Sequence, residues 1–551
     1  MPRVTIDGRS IDVPQGATVL EAARRLGIEI PTLCHLEGLE PHTSCFVCVV
    51  EIEGQTDLKP SCAMPVADGM VVRTQSDDVL QARRMALELL LSDHPGDCVA
   101  PCTLACPAHL EVADFIAAIV AGDNRRAIRI VKRRIPLPAS LGRICPRFCE
   151  RACRRKDLDE AVNVCDLRRY VADADLASTS PYVADRAADS GKSVAVVGAG
   201  PAGLSAAYYL RLAGHACTLY EAHQQPGGLF RHGISEEQLP RSVLDAEIAG
   251  ILEMGVTLKA GVRLGADVSL DELLSRHDAV LLALGTQTGA GQAAVYAEGR
   301  LASGDVEYDF SLLESLGLET SRRGVQANRQ TLATSRRGVF AAGNLVTGPN
   351  YGVHAVAGGR RAAVAVDQFL RGGEVIGEPR HVNVLMRDLA EEELAVLRSF
   401  ADPRTRIAIG KGEREAVATM TDGQARDEAA RCLDCDCGKR DGCALRQLAT
   451  RYDASPTHYH GPRRPFDRDV THPDIVYESG KCIQCGRCVR VAEQARETLG
   501  LTFIGRGFSV RTAAPFSSQL DEALRQAARR CVEVCPTGAI SLKRALRDSG
   551  G

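Results

Sequence analysis

Cysteine dominates the chemistry that this 551-residue chain can perform, with 21 residues of that type. All of them except Cys217 fall into tight groups, many with two or three residues between neighbours. In a reducing compartment, thiolates at such spacing bind iron–sulfur clusters or zinc, whereas a disulfide framework is typical of small secreted chains. The sequence therefore predicts several metal centres.

The first group has the spacing Cys-x10-Cys-x2-Cys-x13-Cys. Its members are Cys34, Cys45, Cys48 and Cys62. A loop followed by a distant fourth ligand suits a [2Fe–2S] cluster, while zinc usually takes two short Cys-x2-Cys pairs, and only one is present. We therefore expect a [2Fe–2S] cluster here.

The last group contains the beginning and the end of a bacterial ferredoxin motif, formed by Cys482, Cys485, Cys488 and Cys535. Ala492 stands where a two-cluster ferredoxin has its next cysteine. The second run is equally depleted, with Arg525 and Ala528 at cysteine positions and Cys531 left alone. The expectation is one [4Fe–4S] cluster, with Cys531 as a spare thiol.

Two further groups lie between these. The earlier one comprises Cys98, Cys102, Cys106, Cys145, Cys149, Cys153 and Cys165. The later one has four cysteines within twelve residues, Cys432, Cys435, Cys437 and Cys443. This later group suits one metal centre, and its spacing does not distinguish iron from zinc.

A dinucleotide-binding pattern runs from Lys192 to Glu221, as strand, glycine-rich turn, helix, strand and acid. The turn is Gly198, Ala199, Gly200, Pro201, Ala202 and Gly203. Glycines let pyrophosphate approach the helix N-terminus, and Glu221 can accept a hydrogen bond from a ribose hydroxyl while repelling a 2′-phosphate. A second Gly-x-Gly-x-x-Ala match at Gly289–Ala294 is weak, since Gly299 and Gly304 interrupt any helix after it.

The elements that must position these residues predict a multidomain α/β and α+β protein. We expect a β-grasp domain at 1–80, a helical double-cluster domain at 81–190 and one Rossmann-like domain at 191–375. A cysteine-rich connecting region at 376–470 precedes a ferredoxin-like domain at 471–551.

Composition excludes several function classes. Lys plus Arg (67) nearly equals Asp plus Glu (70), and aromatics make up only 4%, so nothing indicates nucleic-acid binding. No run of eighteen apolar residues and no secretory leader is present, which predicts a cytoplasmic chain without a membrane span.

Residues 1–98 resemble the N-terminal domain of the complex I G subunit and of iron-only hydrogenases. The resemblance is carried by Ile30–Cys34, Ser44–Cys48 and Cys62–Val66. It continues into Asp93–Cys98, which matches the start of that family's motif of one His and three Cys for a [4Fe–4S] cluster, and then breaks.

From Pro101 to about 180 the chain resembles the helical domain of the glutamate synthase small subunit and of dihydropyrimidine dehydrogenase. The residues that carry it are Ala105–Ala108, Gly142–Pro146 and Cys149–Cys153. The resemblance implies two [4Fe–4S] clusters, one held by Cys98, Cys102 and Cys153 and the other by Cys106, Cys145 and Cys149. As fourth ligands we predict His94 for the first and Cys165 for the second.

The same family implies FAD. Gln225–Leu229, which includes Gly228 and Leu229, and Gly338–Asn344, which includes Gly343, resemble its flavin-contacting segments, although the family has Asp where this chain has Asn344. A helix entered at Gly352 and Val353 would direct its N-terminus at the flavin, and Val262 completes the predicted set. Only 52 residues (286–337) remain for the family's NAD(P)H domain, which is too few.

These features predict an electron-transfer subunit carrying FAD and iron–sulfur clusters, with no NAD(P)H site of its own. Its expected partner is an NADH-oxidising FMN subunit or a hydrogenase- or formate-dehydrogenase-like subunit, and electron bifurcation is an open possibility. The alternatives are a self-contained NAD(P)H oxidoreductase and a non-redox scaffold that binds zinc.

Overall fold

The computed structural model describes residues 1–286, 296–297, 300–301, 310–348, 350–386, 389–409 and 420–544. The chain forms two compact units. The first unit comprises Met1–Ala100, Arg380–Phe400 and Cys435–Gly551, and the second comprises Pro101–Pro379 and Ala401–Asp434. The unit boundary at 100/101 lies inside the predicted 81–190 domain, and the predicted connecting region 376–470 is divided between the two units.

The N-terminal domain of the first unit has the predicted β-grasp pattern. Its five-stranded sheet runs, from one edge to the other, Arg9–Asp12, Arg3–Ile6, Met70–Arg73, Val49–Ile52 and Lys59–Pro60. The central pair is parallel, with Val4 opposite Met70. A helix, Val19–Arg25, packs its apolar face on this sheet and starts with a capping box between Thr18 and Glu21.

The rest of the first unit is helical, with two short antiparallel pairs of strands. Its helices are Asp77–Ser92, Glu391–Ser399, Ala444–Arg451, Arg487–Gln494, Leu520–Ala523 and Ala528–Val534. Its antiparallel strand pairs are Ile475–Tyr477 with Ile540–Leu542 and Thr502–Ile504 with Arg511–Ala513. Buried Arg83 joins three parts of the unit, because its guanidinium donates to the Val49 carbonyl (2.9 Å) and the Tyr452 hydroxyl (3.1 Å).

The second unit begins with a bundle of short helices: Pro101–Ala105, Val112–Val120, Asn124–Lys132, Pro138–Ile144, Phe148–Arg151 and Val164–Leu176. The later helix Asp422–Ala430 joins this bundle. Its fully buried Glu428 accepts the backbone N–H groups of Asn163 (2.9 Å) and Ile407 (2.7 Å), so one carboxylate fastens three stretches of chain.

The α/β part of the second unit is a five-stranded parallel sheet. Its order is Val339–Ala341, Ala279–Leu282, Ser193–Val197, Ala216–Glu221 and Val256–Ala260. The helices Pro201–Leu212 and Gly352–Leu370 pack closely together. This approach requires glycine at position 359, because a Cβ there would collide with the Ala202 carbonyl. The other helices of this part are Leu229–His232, Arg241–Glu253, Leu270–Arg276, Ser311–Ser315 and Asn344–Thr347.

Two small antiparallel pairs complete this unit, Tyr296–Ala297 with Arg300–Leu301 and Thr320–Ser321 with Gly324–Val325. The weak Gly-x-Gly-x-x-Ala match at Gly289–Ala294 lies outside the described residues. Across the described ranges, no helix is both long and apolar enough to cross a lipid bilayer.

Glu247 should make the stability of the second unit pH-dependent. Its buried carboxylate accepts the N–H groups of Ala139 (2.6 Å) and Ser140 (2.9 Å) at the start of the helix Pro138–Ile144. Burial raises its pKa from 4.5 to about 7. Because the folded state holds this proton more tightly, the associated stability is complete below pH 4.5 and is lost as pH rises through 7, on the order of 3 kcal/mol.

The variant Glu247→Gln keeps a carbonyl acceptor and cannot ionise. We expect the melting temperature of the variant minus that of the wild type to be larger at pH 8 than at pH 5. Calorimetry on matched samples measures this difference. If the difference between the two melting temperatures stays constant across that range, this role for Glu247 is contradicted.

Candidate metal centres and nucleotide pocket

The four cysteines of the first group are buried together in the N-terminal domain. The sulfur atoms of Cys48 and Cys62 lie 3.4 Å apart, and the thiol of Cys45 hydrogen-bonds to Cys34. These thiol hydrogen bonds lower the pKa of Cys34 and of Cys48. The set predicted from the spacing is therefore gathered in space.

A second set in the first unit combines one early cysteine with two cysteines that come much later in the chain. Cys98, Cys437 and Cys443 are each at most 9% exposed. The Cys437 N–H donates to the Cys98 carbonyl (3.4 Å), and the Val384 N–H donates to the Cys98 sulfur (3.4 Å). Burial and the charges of Cys437 and Cys98 raise the pKa of Cys443 to about 12. The three thiols are thus electrostatic neighbours.

His94 belongs to the same region, four residues before Cys98. Its ring is buried, and Nδ1 has no hydrogen-bond partner. Burial and the nearby cations of Lys481 and Arg464 lower its pKa to about 3. The imidazole is therefore neutral, which is the form that binds a metal.

Tight packing holds this second set. A Cβ on Gly538 would stand 2.0 Å from the Cys437 sulfur, and one on Gly96 would stand 2.4 Å from the Lys481 side chain. Only glycine leaves room for these two side chains. Lys481 itself is buried and pairs with Glu478 at 2.5 Å.

This arrangement differs from the grouping expected from the sequence. The thiol neighbours of Cys98 inside the first unit are Cys437 and Cys443, whereas Cys102 and Cys153 belong to the second unit. Residues 101–434 separate Cys98 from Cys437 in sequence but not in space, so spacing along the chain gave no sign of this neighbour. The later cysteine group is divided as well, with Cys432 in the second unit and Cys435 half-buried in the first.

The ferredoxin-like group surrounds a small cavity bordered by Tyr477 and Thr512. Its thiols are Cys482, Cys485, Cys488 and Cys535. The Gln484 N–H donates to the Cys482 sulfur at 3.3 Å from a loop whose left-handed residues are Gln484 and Gly486. Cys531 is fully buried outside this cavity lining, and its thiol donates to the Cys488 carbonyl, as expected for a spare thiol.

One apolar core connects the three thiol sets of the first unit. It contains a cysteine of each set, namely Cys34 and Cys45, Cys443, and Cys485. Leucines fill the space between them, among them Leu33, Leu87 and Leu445. Charge moving among these sites would cross packed, water-free protein.

In the second unit, four thiols are neighbours: Cys106, Cys145, Cys149 and Cys165. Cys149 and Cys165 lie in helices, and Cys106 and Cys145 directly follow the helices Pro101–Ala105 and Pro138–Ile144. The sulfur atoms of Cys149 and Cys165 are 4.0 Å apart, and Cys145 also hydrogen-bonds to Cys165. The helix Pro101–Ala105 packs on Phe148–Arg151, which brings Cys106 to the others. The structure thus brings together the set predicted for the second central cluster, including Cys165.

Cys102, Cys153 and Cys432 border the same core of the second unit. Arg155 donates to the Arg431 carbonyl (3.2 Å), and the Arg431 guanidinium donates to Asp159 (3.0 Å). These bonds fasten the stretch that ends at Cys432 to the stretch that follows Cys153.

A cavity of about 320 Å³ opens at the carboxyl ends of the parallel strands. The cavity lies at the end of the central strand Ser193–Val197, between it and its neighbours Ala216–Glu221 and Ala279–Leu282. Open α/β sheets bind nucleotides at such an edge. The predicted residues that line it are Gly198, Gly200, Pro201, Ala202, Glu221, Gly228, Leu229, Val262 and Asn344. Ala199, Gly203, Gly343, Gly352 and Val353 are not among its lining residues.

Two polar side chains give this cavity its chemistry. The Glu221 carboxylate accepts the Ala199 N–H (2.8 Å) and the His223 N–H (2.9 Å), which fixes it at the end of its strand. The Asn344 Oδ1 is buried without a partner. A ligand hydroxyl could satisfy it.

Sequence reasoning missed several lining residues, among them Tyr220, His223, His232, Arg263 and Thr286. His223 and His232 form a ring pair with centroids 4.8 Å apart. They lie beyond the glycine motif and the flavin-like segments, so no motif indicated them.

Within the described residues, no three His, Cys, Asp or Glu side chains stand close enough to hold a single metal ion. An iron–sulfur cluster distributes its ligands over several iron atoms. The fold and these thiol sets define a multidomain iron–sulfur type of protein built around one Rossmann-like nucleotide-binding domain.

Comparison with protein families agrees with this class. Residues 2–77 match a 2Fe-2S iron-sulfur cluster binding domain, and residues 94–180 match dihydropyrimidine dehydrogenase domain II, a 4Fe-4S cluster domain. Residues 196–249 match an NAD(P)-binding Rossmann-like domain, and residues 472–541 match the ferredoxin-like domain of NADH-quinone oxidoreductase subunit 3. The resemblances drawn from the sequence are confirmed.

Three relatives show how such domains are used. The chain is 41% identical over 188 residues to the NADPH-Fe(3+) oxidoreductase subunit beta of Geobacter sulfurreducens, covering 34% of this chain and 28% of that protein. It is 39% identical over 207 residues to the NADP(+)-dependent formate dehydrogenase subunit beta of Moorella thermoacetica, covering 34% and 29%. It is 58% identical over 104 residues to the NADP-reducing hydrogenase subunit HndD of Solidesulfovibrio fructosivorans, covering 18% of each. The chain thus spans less than a third of each relative.

Proposed function

We propose that this chain is an electron-transfer subunit of a multisubunit oxidoreductase. The observation that carries the proposal is the single apolar core shared by the three thiol sets of the first unit. Clusters embedded in one dry, rigid core exchange electrons with little rearrangement of solvent, and this is the arrangement that a relay requires.

Five clusters account for the cysteine sets. We assign a [2Fe–2S] cluster to the first group and [4Fe–4S] clusters to the ferredoxin-like group, to Cys106 with Cys145, Cys149 and Cys165, and to His94 with Cys98, Cys437 and Cys443. The fifth cluster takes Cys102, Cys153 and Cys432.

We assign FAD to the cavity of the second unit. Glu221 suits a ribose with free hydroxyls, and the unpartnered Asn344 oxygen suits a hydroxyl of the ribityl chain. When bound, the flavin supplies exchange between two-electron and one-electron donors. The chain's own residues bind and orient it, and the helix that begins at Pro201 presents its N-terminus to the pyrophosphate.

A separate polypeptide supplies or removes the electrons. The segment 286–337 is shorter than the pair of βαβ units that a second dinucleotide domain needs, on the order of 60 residues. The names of the relatives include subunits of formate dehydrogenase and hydrogenase. A partner of that kind, or an NADH-oxidising FMN subunit, fits a chain that binds FAD without NAD(P)H.

Purified anaerobically, the protein should contain about 18 iron atoms and one FAD per chain. Mixed with NADH or NADPH in a stopped-flow instrument, the isolated chain should show no rapid bleaching of the flavin absorbance, whereas dithionite should bleach it fully. Rapid stoichiometric bleaching by either nucleotide would instead select the self-contained oxidoreductase. Zinc in excess of iron would select the scaffold.

A further inference from the structure

Arg168 is among the largest fully buried side chains of the protein, at 1% exposure. Its Nη2 donates to the Leu141 carbonyl at 2.8 Å, while its Nε has no hydrogen-bond partner. No carboxylate in the described part of the chain forms an ion pair with it. A buried guanidinium without a counter-charge is costly, so negatively charged groups near Arg168 must compensate it.

The strongest charges acting on Arg168 belong to four cysteines, Cys165, Cys145, Cys149 and Cys106. Cys165 lies three residues before Arg168 on the helix Val164–Leu176, so the two side chains share one face. When these cysteines bind a cluster as thiolates, they provide the negative counter-charge for the guanidinium of Arg168.

Other arginines of this region differ. Arg147 pairs with Asp166 (2.6 Å), Arg143 pairs with Asp173 (2.8 Å), and the adjacent Arg169 pairs with the same Asp173 (3.3 Å). Each of these three arginines has a carboxylate partner, and Arg143 and Arg169 share Asp173. Arg168 differs from them because it has no carboxylate partner among the described residues.

We propose that Arg168 is the positioning residue that sets the reduction potential of the cluster held by Cys106, Cys145, Cys149 and Cys165. Reduction adds one electron to the cluster and makes this buried site more negative. A fixed positive charge beside the site stabilises the reduced form more than the oxidised form, and so raises the potential. The inference rests on the ligand set proposed above.

The test is a redox titration of the full chain with dithionite as the one-electron reductant, followed by EPR. Arg168→Met removes the charge, and Arg168→Lys keeps it. In Arg168→Met we expect at least a tenfold lower ratio of reduced to oxidised cluster at a fixed potential, a shift of 59 mV or more. Arg168→Lys should stay near the wild type. Arg169→Met is the matched control and should leave every midpoint unchanged.

Cys165→Ser identifies which EPR component belongs to this cluster and tests the ligand set separately. If Cys165→Ser keeps all its iron and all its EPR components, the proposed ligand set is wrong. If Arg168→Met keeps its iron and every midpoint, the role of Arg168 is overturned. Equal loss of iron in Arg168→Met and Arg168→Lys would also overturn it, because the residue would then serve only packing.

Discussion

Replacing Cys437 with serine should remove about four of the roughly 18 iron atoms, since one [4Fe–4S] cluster loses a ligand. Cys98→Ser should do the same, because the two residues are proposed to hold one cluster. The double variant Cys98→Ser/Cys437→Ser should therefore lose no more iron than either single variant. Iron and acid-labile sulfide per chain, measured after anaerobic purification, decide this.

The grouping along the chain gives a different outcome for the same experiment. If Cys98 served a cluster with Cys102 and Cys153, and Cys437 served a separate [4Fe–4S] cluster with its sequence neighbours, the double variant would lose about eight iron atoms. Cys531→Ser is the matched control, because this buried thiol donates to the Cys488 carbonyl and is assigned to no cluster. It should keep the full iron content.

The success of sequence reasoning at the metal sites depended on how far apart the ligands lie in the chain. The set with Cys106, Cys145, Cys149 and Cys165 spans 60 residues, and the structure brings together all four residues that the sequence predicts for it. The ferredoxin-like set was equally readable, because its gaps follow a known loop. In both cases the ligands belong to one continuous stretch of one unit.

The set with Cys98 was not predictable in that way. Its proposed ligands precede and follow the second unit in the sequence, and local spacing carries no information about which stretches return to each other in space. One trace of the arrangement was present in the sequence. The motif that starts at His94 ends abruptly after Cys98.

The nucleotide domain shows the same division. The strand, glycine turn and acid were predicted correctly because a βαβ unit is local in sequence. The lining residues His232 and Thr286 were missed, since their place in the cavity follows from how the sheet and later loops fold back.

The glycine turn should control flavin binding through backbone contact. A Cβ on Gly203 would stand 1.8 Å from the Gly198 carbonyl oxygen, so Gly203→Ala must displace the turn that receives the pyrophosphate. We expect at least tenfold weaker flavin binding, a loss of about 1.4 kcal/mol or more. The measurement is the FAD content and the dissociation constant from fluorescence titration of the deflavinated protein.

Gly250→Ala is the control, because Gly250 lies in the helix Arg241–Glu253 with nothing within 4 Å of its added Cβ. It should bind flavin normally and gain up to about 1 kcal/mol of stability, since alanine loses less backbone entropy in a helix. Full flavin content in Gly203→Ala would contradict the assigned cavity. Weak flavin binding with the iron content intact would support it, because the cluster sites depend on other parts of the chain.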